Sequence, residues 1–219
     1  MLSHIQAIIF DHDGTLVDSE PVHFNCWNQV LSRYNASFEF NDYATHLNGV
    51  ASIESAKWLI RHCGLALTPE ALYAQKQAQL ELFLAANAYP LMSGALELVA
   101  YAASAGYALA VASGAGRFEI DHSLRAHGLD AHLRITATKN DVVNNKPAPD
   151  VYLLAAAQLG VAPERALAIE DSDAGQAAAL AAGMTCFRLG HGSQFHPRVK
   201  MFSSLEAIHQ ELKAAAPQR

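Results

Sequence analysis

Ile8-Ile9-Phe10-Asp11-His12-Asp13-Gly14-Thr15-Leu16 sets two carboxylates two residues apart, where an apolar run gives way to a Gly-Thr turn. Ala7 to Phe10 reads as a strand buried on both faces, and Gly14 ends it. In open α/β sheets ligands bind at the carboxyl ends of such strands. Residues i and i+2 of a strand share a face, so Asp11 and Asp13 are expected to reach one reacting centre. Clustered carboxylates repel unless a proton or cation lies between them, and oxygen ligands of this kind suit a hard divalent ion, Mg²⁺ above all.

An Asp-x-Asp pair alone is also what a solvated turn carries. Three later stretches supply what such a site would lack. Leu109-Ala110-Val111-Ala112 reads as a short buried strand and is followed by Ser113-Gly114-Ala115-Gly116. A hydroxyl there, with neighbouring N–H groups ahead of a helix, can donate to phosphate oxygens. Taken singly, Ser113 reads first as a turn or N-cap residue. In Asn144-Asn145-Lys146-Pro147-Ala148-Pro149-Asp150, Pro147 biases Lys146 toward extended backbone, and Asp150 is placed to cap the next helix. A positioned ammonium there would neutralise phosphate and restrain a carboxylate. Leu167-Ala168-Ile169-Glu170-Asp171-Ser172-Asp173-Ala174-Gly175 is again an apolar strand ending in acids. Glu170 and Asp171 are placed to complete a metal site opened by Asp11 and Asp13, while Asp173 suits a first helical turn.

These four elements, in this order, resemble the haloacid dehalogenase superfamily of phosphotransferases. The resemblance spans nearly the whole chain. It is strongest for the branch holding β-phosphoglucomutases and small sugar-phosphate phosphatases, which also shares Asp18-Ser19-Glu20-Pro21, His23, Gly49-Val50 and Lys76. The resemblance implies Asp11 as nucleophile and Asp13 as general acid, then base. It implies Mg²⁺ held by Asp11, the backbone carbonyl of Asp13, and Asp171, with Glu170 direct or through water. Ser113, the Gly114 N–H and Lys146 would hold the transferring phosphoryl group, with His23 and Lys76 as further substrate contacts. A second Asp argues against dehalogenation. The loop Asn48-Gly49-Val50-Ala51-Ser52 lacks the lysine a phosphonoacetaldehyde hydrolase needs.

A phosphosugar mutase is the alternative within the family. Aligned on Gly49-Val50, the β-phosphoglucomutases carry an Arg where this chain has Ser52, and a polar run where it has Gly114-Ala115-Gly116. Ser cannot replace the charge of a bidentate Arg, so a phosphatase of small phosphorylated metabolites is the expected activity. Arg117, next after the Gly114-Ala115-Gly116 run, could swing toward a distal phosphate from a shifted loop. A non-catalytic binding or regulatory member of the fold is a third possibility; the complete catalytic set argues against it.

The expected architecture is a Rossmann-like, doubly wound parallel sheet, with strands near 5–10, 107–112, 134–137, 166–170 and 185–188. A helical cap is expected at 19–89, between core segments 1–18 and 90–219. Amphipathic patches mark it at 21–34, 52–63 and 69–86, with Pro21 in a first turn and Thr68-Pro69-Glu70-Ala71 as a helix start. The 219 residues are 51% hydrophobic with net charge −6, and no basic cluster suggests nucleic acid. No apolar run is long enough for a membrane and no signal peptide is visible. Three scattered cysteines suit a reducing cytoplasm. The eleven histidines form no ligand pair, and a monomer or small homo-oligomer is expected.

Overall fold

The computed structural model describes residues 2, 4–47, 49–50, 52–190 and 196–215. The chain divides into two compact units, one of Met1–Asp18 with Pro90–Arg219 and one of Ser19–Tyr89. The Asp18 N–H donates to the Pro90 carbonyl at 2.8 Å, so the chain leaves and re-enters the first unit at one point.

The first unit is built on six parallel strands in the order β3-β2-β1-β4-β5-β6. They are β1 (Ala7–Phe10), β2 (Ala108–Ala112), β3 (Ile135–Ala137), β4 (Ala166–Glu170), β5 (Thr185–Leu189) and β6 (Val199–Phe202). Every pairing is parallel, and helices lie between the consecutive strands from β1 to β5. β1 is buried along its whole length, which is why it reads as a continuous apolar run rather than an alternation. β6 is a strand the sequence pattern does not announce. Its residues are mostly half-buried and Lys200 interrupts them, so neither an apolar run nor a clear alternation marks it.

Register does most to place the site. Phe10 lies opposite Val111 on one side and Ile169 on the other. Asp11, Ser113 and Glu170 therefore emerge together at the carboxyl edge. The strand order reverses at β1, the kind of switch point where open α/β sheets bind ligands.

The second unit is helical: α1 (Glu20–Leu31), α2 (Phe40–His46), α3 (Ser52–Cys63) and α4 (Pro69–Ala86). Pro21 occupies the first turn of α1. Trp27, Val30, Leu31, Phe38, Tyr43, Ala56, Leu59 and Leu72 are buried together in its core. The expected helix over 21–34 ends at Leu31 and tightens into a 3₁₀ turn, Ser32–Tyr34, closed by Asn35 at φ 55°. The remaining helices belong to the first unit: α5 (Ala95–Ser104), α6 (Arg117–Ala126), α7 (Asp150–Leu159), α8 (Asp173–Ala181) and α9 (Leu205–Ala215). Among the described residues no helix is long and apolar enough to cross a membrane.

Asp150 does not cap α7. Pro149 holds the N-cap position, and the Asp150 carboxylate instead accepts from the Asn144 backbone N–H and side-chain amide, both at 3.2 Å. It tethers the loop that carries Lys146. By contrast Thr68 caps α4 as its sequence suggests, its hydroxyl oxygen accepting from the Ala71 N–H at 3.2 Å. Thr68→Ala is expected to lower stability by about 1 kcal/mol, measured by urea unfolding; an unchanged midpoint would contradict the cap.

Candidate active site

Three carboxylates meet at the carboxyl edge of the sheet. Asp11, Glu170 and Asp171 each bring an oxygen within 4.8 Å of the others. Asp11 is fixed by its backbone, whose N–H donates to the Ile169 carbonyl at 2.9 Å. Lys146 reaches between two of the acids, its ammonium donating to Asp11 Oδ1 and Glu170 Oε1, both at 2.5 Å. The three side chains are almost wholly buried.

Glu170 accepts from four further donors: the Tyr152 hydroxyl at 2.8 Å, the Asp171 and Ser172 N–H groups at 3.2 Å, and the Ser172 hydroxyl at 3.0 Å. Such a density of donors accounts for a fully buried acid. Two glycines let the backbone come this close. A Cβ on Gly175 would overlap the Glu170 carboxylate, and one on Gly14, whose φ is +75°, would overlap that of Asp171.

Burial and the neighbouring charge of Glu170 push Asp11 up to about 7, against the pull of Lys146. Burial, Asp11 and Glu170 push Asp171 up to about 8, partly offset by Arg188 and Lys146. Burial would lower Lys146, but Asp11 and Glu170 outweigh it and hold the ammonium charged. One ammonium in contact thus faces three carboxylates. That residual negative charge and the all-oxygen donor set fit a hard divalent cation.

Asp13 stands next to this group rather than in it. Its carboxylate is about one-third exposed and lies 3.5 Å from the ring of the fully buried His12, outside the three-acid cluster. The strand ends at Phe10, ahead of both acids, so the rule that puts i and i+2 on one face does not hold for them. The Asp13 charge is still felt, as one of the neighbours raising Asp11.

Ser113 is fully buried. Its backbone N–H donates to Ala137 and its hydroxyl oxygen accepts from the Ala115 N–H, both at 2.9 Å. The hydroxyl proton is left to donate. Gly114 lies beside Asn145, whose amide donates to the Gly114 carbonyl at 3.3 Å. The structure therefore brings Asp11, Glu170, Asp171 and Lys146 into contact, with the Ser113-Gly114 turn tied to the lysine loop.

His23 and Lys76 are brought together within the helical unit. Lys76 is buried, its ammonium 3.1 Å from His23 Nδ1, 3.3 Å from Gln77 Oε1 and 6.0 Å from the centroid of the Trp27 ring. An ammonium only donates, so that imidazole nitrogen accepts. Ser52 opens α3, and in the loop before it Asn48 and Ala51 lie outside the described residues.

Two contributors escape the sequence reading. Tyr152 holds Glu170 and sets its ring 5.0 Å from the Lys146 ammonium, yet in sequence it is one aromatic in an apolar helix. Arg188 is buried on β5 with one nitrogen 3.3 Å from Asp173. Its signal was available: a charge inside Cys186-Phe187-Arg188-Leu189 is the buried polar residue worth asking about.

Residues 5–183 match the family described as haloacid dehalogenase-like hydrolase. Over 186 residues the chain is 33% identical to the fructose-1-phosphate phosphatase YqaB of Escherichia coli, covering 84% of this chain and 96% of that one. A crystal structure of a CbbY mutant from Rhodobacter sphaeroides in complex with xylulose-(1,5)bisphosphate superposes with TM-score 0.79 at 28% identity, covering 92% of this chain and 95% of the other. A putative β-phosphoglucomutase from Thermotoga maritima superposes with TM-score 0.77 at 25% identity, covering 97% and 100%. The chain belongs to the haloacid dehalogenase-like hydrolases. Within them it is a phosphatase, as several of its curated relatives are named.

Without divalent metal, Asp11 and Asp171 keep protons in the folded chain that the unfolded chain has lost, because their folded values of about 7 and about 8 stand above the ordinary carboxylate range. Fewer protons bound when unfolded means that stability falls as pH rises, here between about pH 4 and about pH 8. In excess chelator the melting temperature is expected to fall across that window, and Asp171→Asn to flatten the fall. Added Mg²⁺ should raise it most at the alkaline end. A chelated protein that grows more stable toward pH 8 through these two acids would contradict the assignment.

Proposed function

We propose that the chain is a Mg²⁺-dependent, cytoplasmic phosphatase that hydrolyses small phosphorylated metabolites, sugar phosphates first among them, through an aspartyl-phosphate on Asp11. The observation that carries this is the Lys146 ammonium held 2.5 Å from Asp11 beside two further buried acids. It is supported by the fructose-1-phosphate phosphatase among the relatives.

Asp11 attacks phosphorus with its free carboxylate oxygen while Lys146 restrains the other. An oxygen–phosphorus bond forms, the ester bond breaks, and Asp13 gives its proton to the departing alkoxide. Asp13 then takes a proton from water as that water attacks the aspartyl-phosphate, releasing inorganic phosphate and regenerating Asp11. The partly exposed position of Asp13, outside the acid cluster, suits a group that must hand a proton to the leaving group. Ser113, the Gly114 N–H and Lys146 hold the phosphoryl oxygens.

Asp11, the Asp13 carbonyl and Asp171 would hold Mg²⁺, which supplies charge neutralisation for the carboxylate and the phosphate. Glu170 already serves five protein donors, which favours its acting through water. We assign residues 19–89 the role of cap, with the buried Lys76–His23 pair as a substrate contact.

Asp11→Asn is expected to abolish turnover of an aryl phosphate without unfolding the chain. Asp13→Asn should slow it by ~10²–10⁴-fold, with activated leaving groups suffering less in the first step. Near wild-type rates for Asp11→Asn would sink the covalent route, and full activity in excess chelator would sink the metal.

The likeness to a putative β-phosphoglucomutase keeps a mutase as the second reading. Ser52 and Gly114-Ala115-Gly116 offer no charge for a distal phosphate. In an assay coupled to glucose 6-phosphate dehydrogenase, phosphate release from sugar monophosphates is expected without efficient isomerisation of β-glucose 1-phosphate. Efficient isomerisation with little phosphate released would promote the mutase.

A further inference from the structure

Arg117 follows the Ser113-Gly114-Ala115-Gly116 turn and opens α6, the place from which an arginine would be expected to reach for substrate. Its side chain does the opposite. Nη1 donates to the Thr136 hydroxyl at 2.8 Å, and Nη2 to the Thr136 carbonyl at 3.0 Å and to Asp141 Oδ2 at 2.5 Å. Thr136 lies on β3, the edge strand, two strands away from β1. At the usual strand spacing the guanidinium is drawn roughly 10 Å sideways from the line of Asp11.

The same few residues are stitched to the lysine loop by backbone. The Arg117 N–H donates to Asn140 Oδ1 at 2.9 Å, the Lys139 N–H to the Ala115 carbonyl at 3.3 Å, and the Asn145 amide to the Gly114 carbonyl at 3.3 Å. Asp141, for its part, also accepts from the Thr138 N–H at 2.8 Å and hydroxyl at 2.7 Å.

We propose that Arg117 is a positioning residue: with Asp141 it latches the Ser113 turn to the loop that delivers Lys146, and it takes no part in holding a second anionic group of the substrate. The proposal rests on the reading that Ser113 and Lys146 grip one phosphoryl group. Those two groups arrive on separate loops after separate strands, joined by single hydrogen bonds of 2.9–3.3 Å. The latch adds to them a charge-assisted pair that bridges the two where both turn over β3. Asp141 in contact and Asp121 at 3.8 Å already match the charge of this guanidinium, and Thr136 takes two of its donors, so this cation selects no bisphosphate.

The test compares Arg117→Ala, Arg117→Lys, Asp141→Asn and the double variant Arg117→Ala/Asp141→Asn on three esters: p-nitrophenyl phosphate, a sugar monophosphate and a sugar bisphosphate. A latch predicts that each alanine or asparagine variant loses roughly ten- to hundredfold in kcat/KM. The factor is the same on all three esters, with KM and the inhibition constant of inorganic phosphate rising together. The double variant should be no worse than the poorer single, and Arg117→Lys should recover part of the loss. Amide hydrogen exchange in 138–146 should quicken in the variants while α1–α4 stay protected. A loss confined to the bisphosphate, losses that multiply in the double variant, or an Asp141→Asn enzyme with unchanged kcat/KM would overturn the proposal. A wild-type chain that cleaves none of the three esters would refute the phosphatase reading, and exchange in 138–146 would still decide for or against the latch.

Discussion

A single ammonium shared between two buried carboxylates organises the first unit. Lys146 arrives from a loop after β3, Asp11 from the end of β1 and Glu170 from the end of β4. None of the three is tolerable alone at this depth: removing one member of a buried ion pair typically costs ~3–5 kcal/mol, because a charge is left uncompensated. The loop of 138–150 must therefore come to the middle of the sheet, and its many tethers follow from that demand. Tyr152, in the first turn of α7, completes the arrangement through its bond to Glu170.

The sheet order makes this meeting possible. β1 is flanked by β2 and β4, so its carboxyl end sits between a hydroxyl-bearing turn and an acid-bearing one. Small residues then let the walls close in. Ala110, Ala112, Ala166 and Ala168 pack in one core cluster with α7 and α8 residues. Gly14 and Gly175 leave room for Asp171 and Glu170 where any side chain would collide. Burial, together with the closeness of their charges, raises Asp11 and Asp171. A site built to bind a cation and an anionic ester would carry this kind of frustration at rest.

The cations around the edge divide by what they are given to hold. Lys146 is committed to the acids, Arg188 to Asp173, and Arg117 to Asp141 and Thr136. The first lies among the clustered acids, and the last lies between the turn after β2 and the loop after β3. Lys76 is buried beside His23 in the helical unit.

The sequence by itself determined the strands β1, β2 and β4, the acids at their ends and the helical insert, because each is a local pattern: an apolar run, a turn residue, a capping signal. The motif set, read in order, also pointed to the family. Tertiary structure alone decided which groups touch. Asp13 falls outside the acid cluster because β1 ends at Phe10, before the i, i+2 relation of a strand can apply. Asp150 binds Asn144 rather than capping its helix, since Pro149 already holds that position. Tyr152 and Arg188 join the site from an apolar helix and an apolar strand. Arg117 folds away toward β3 because Asp141, far along the chain, offers it a carboxylate. Each outcome depends on a partner remote in sequence, and a pattern that reports only neighbours carries no record of it.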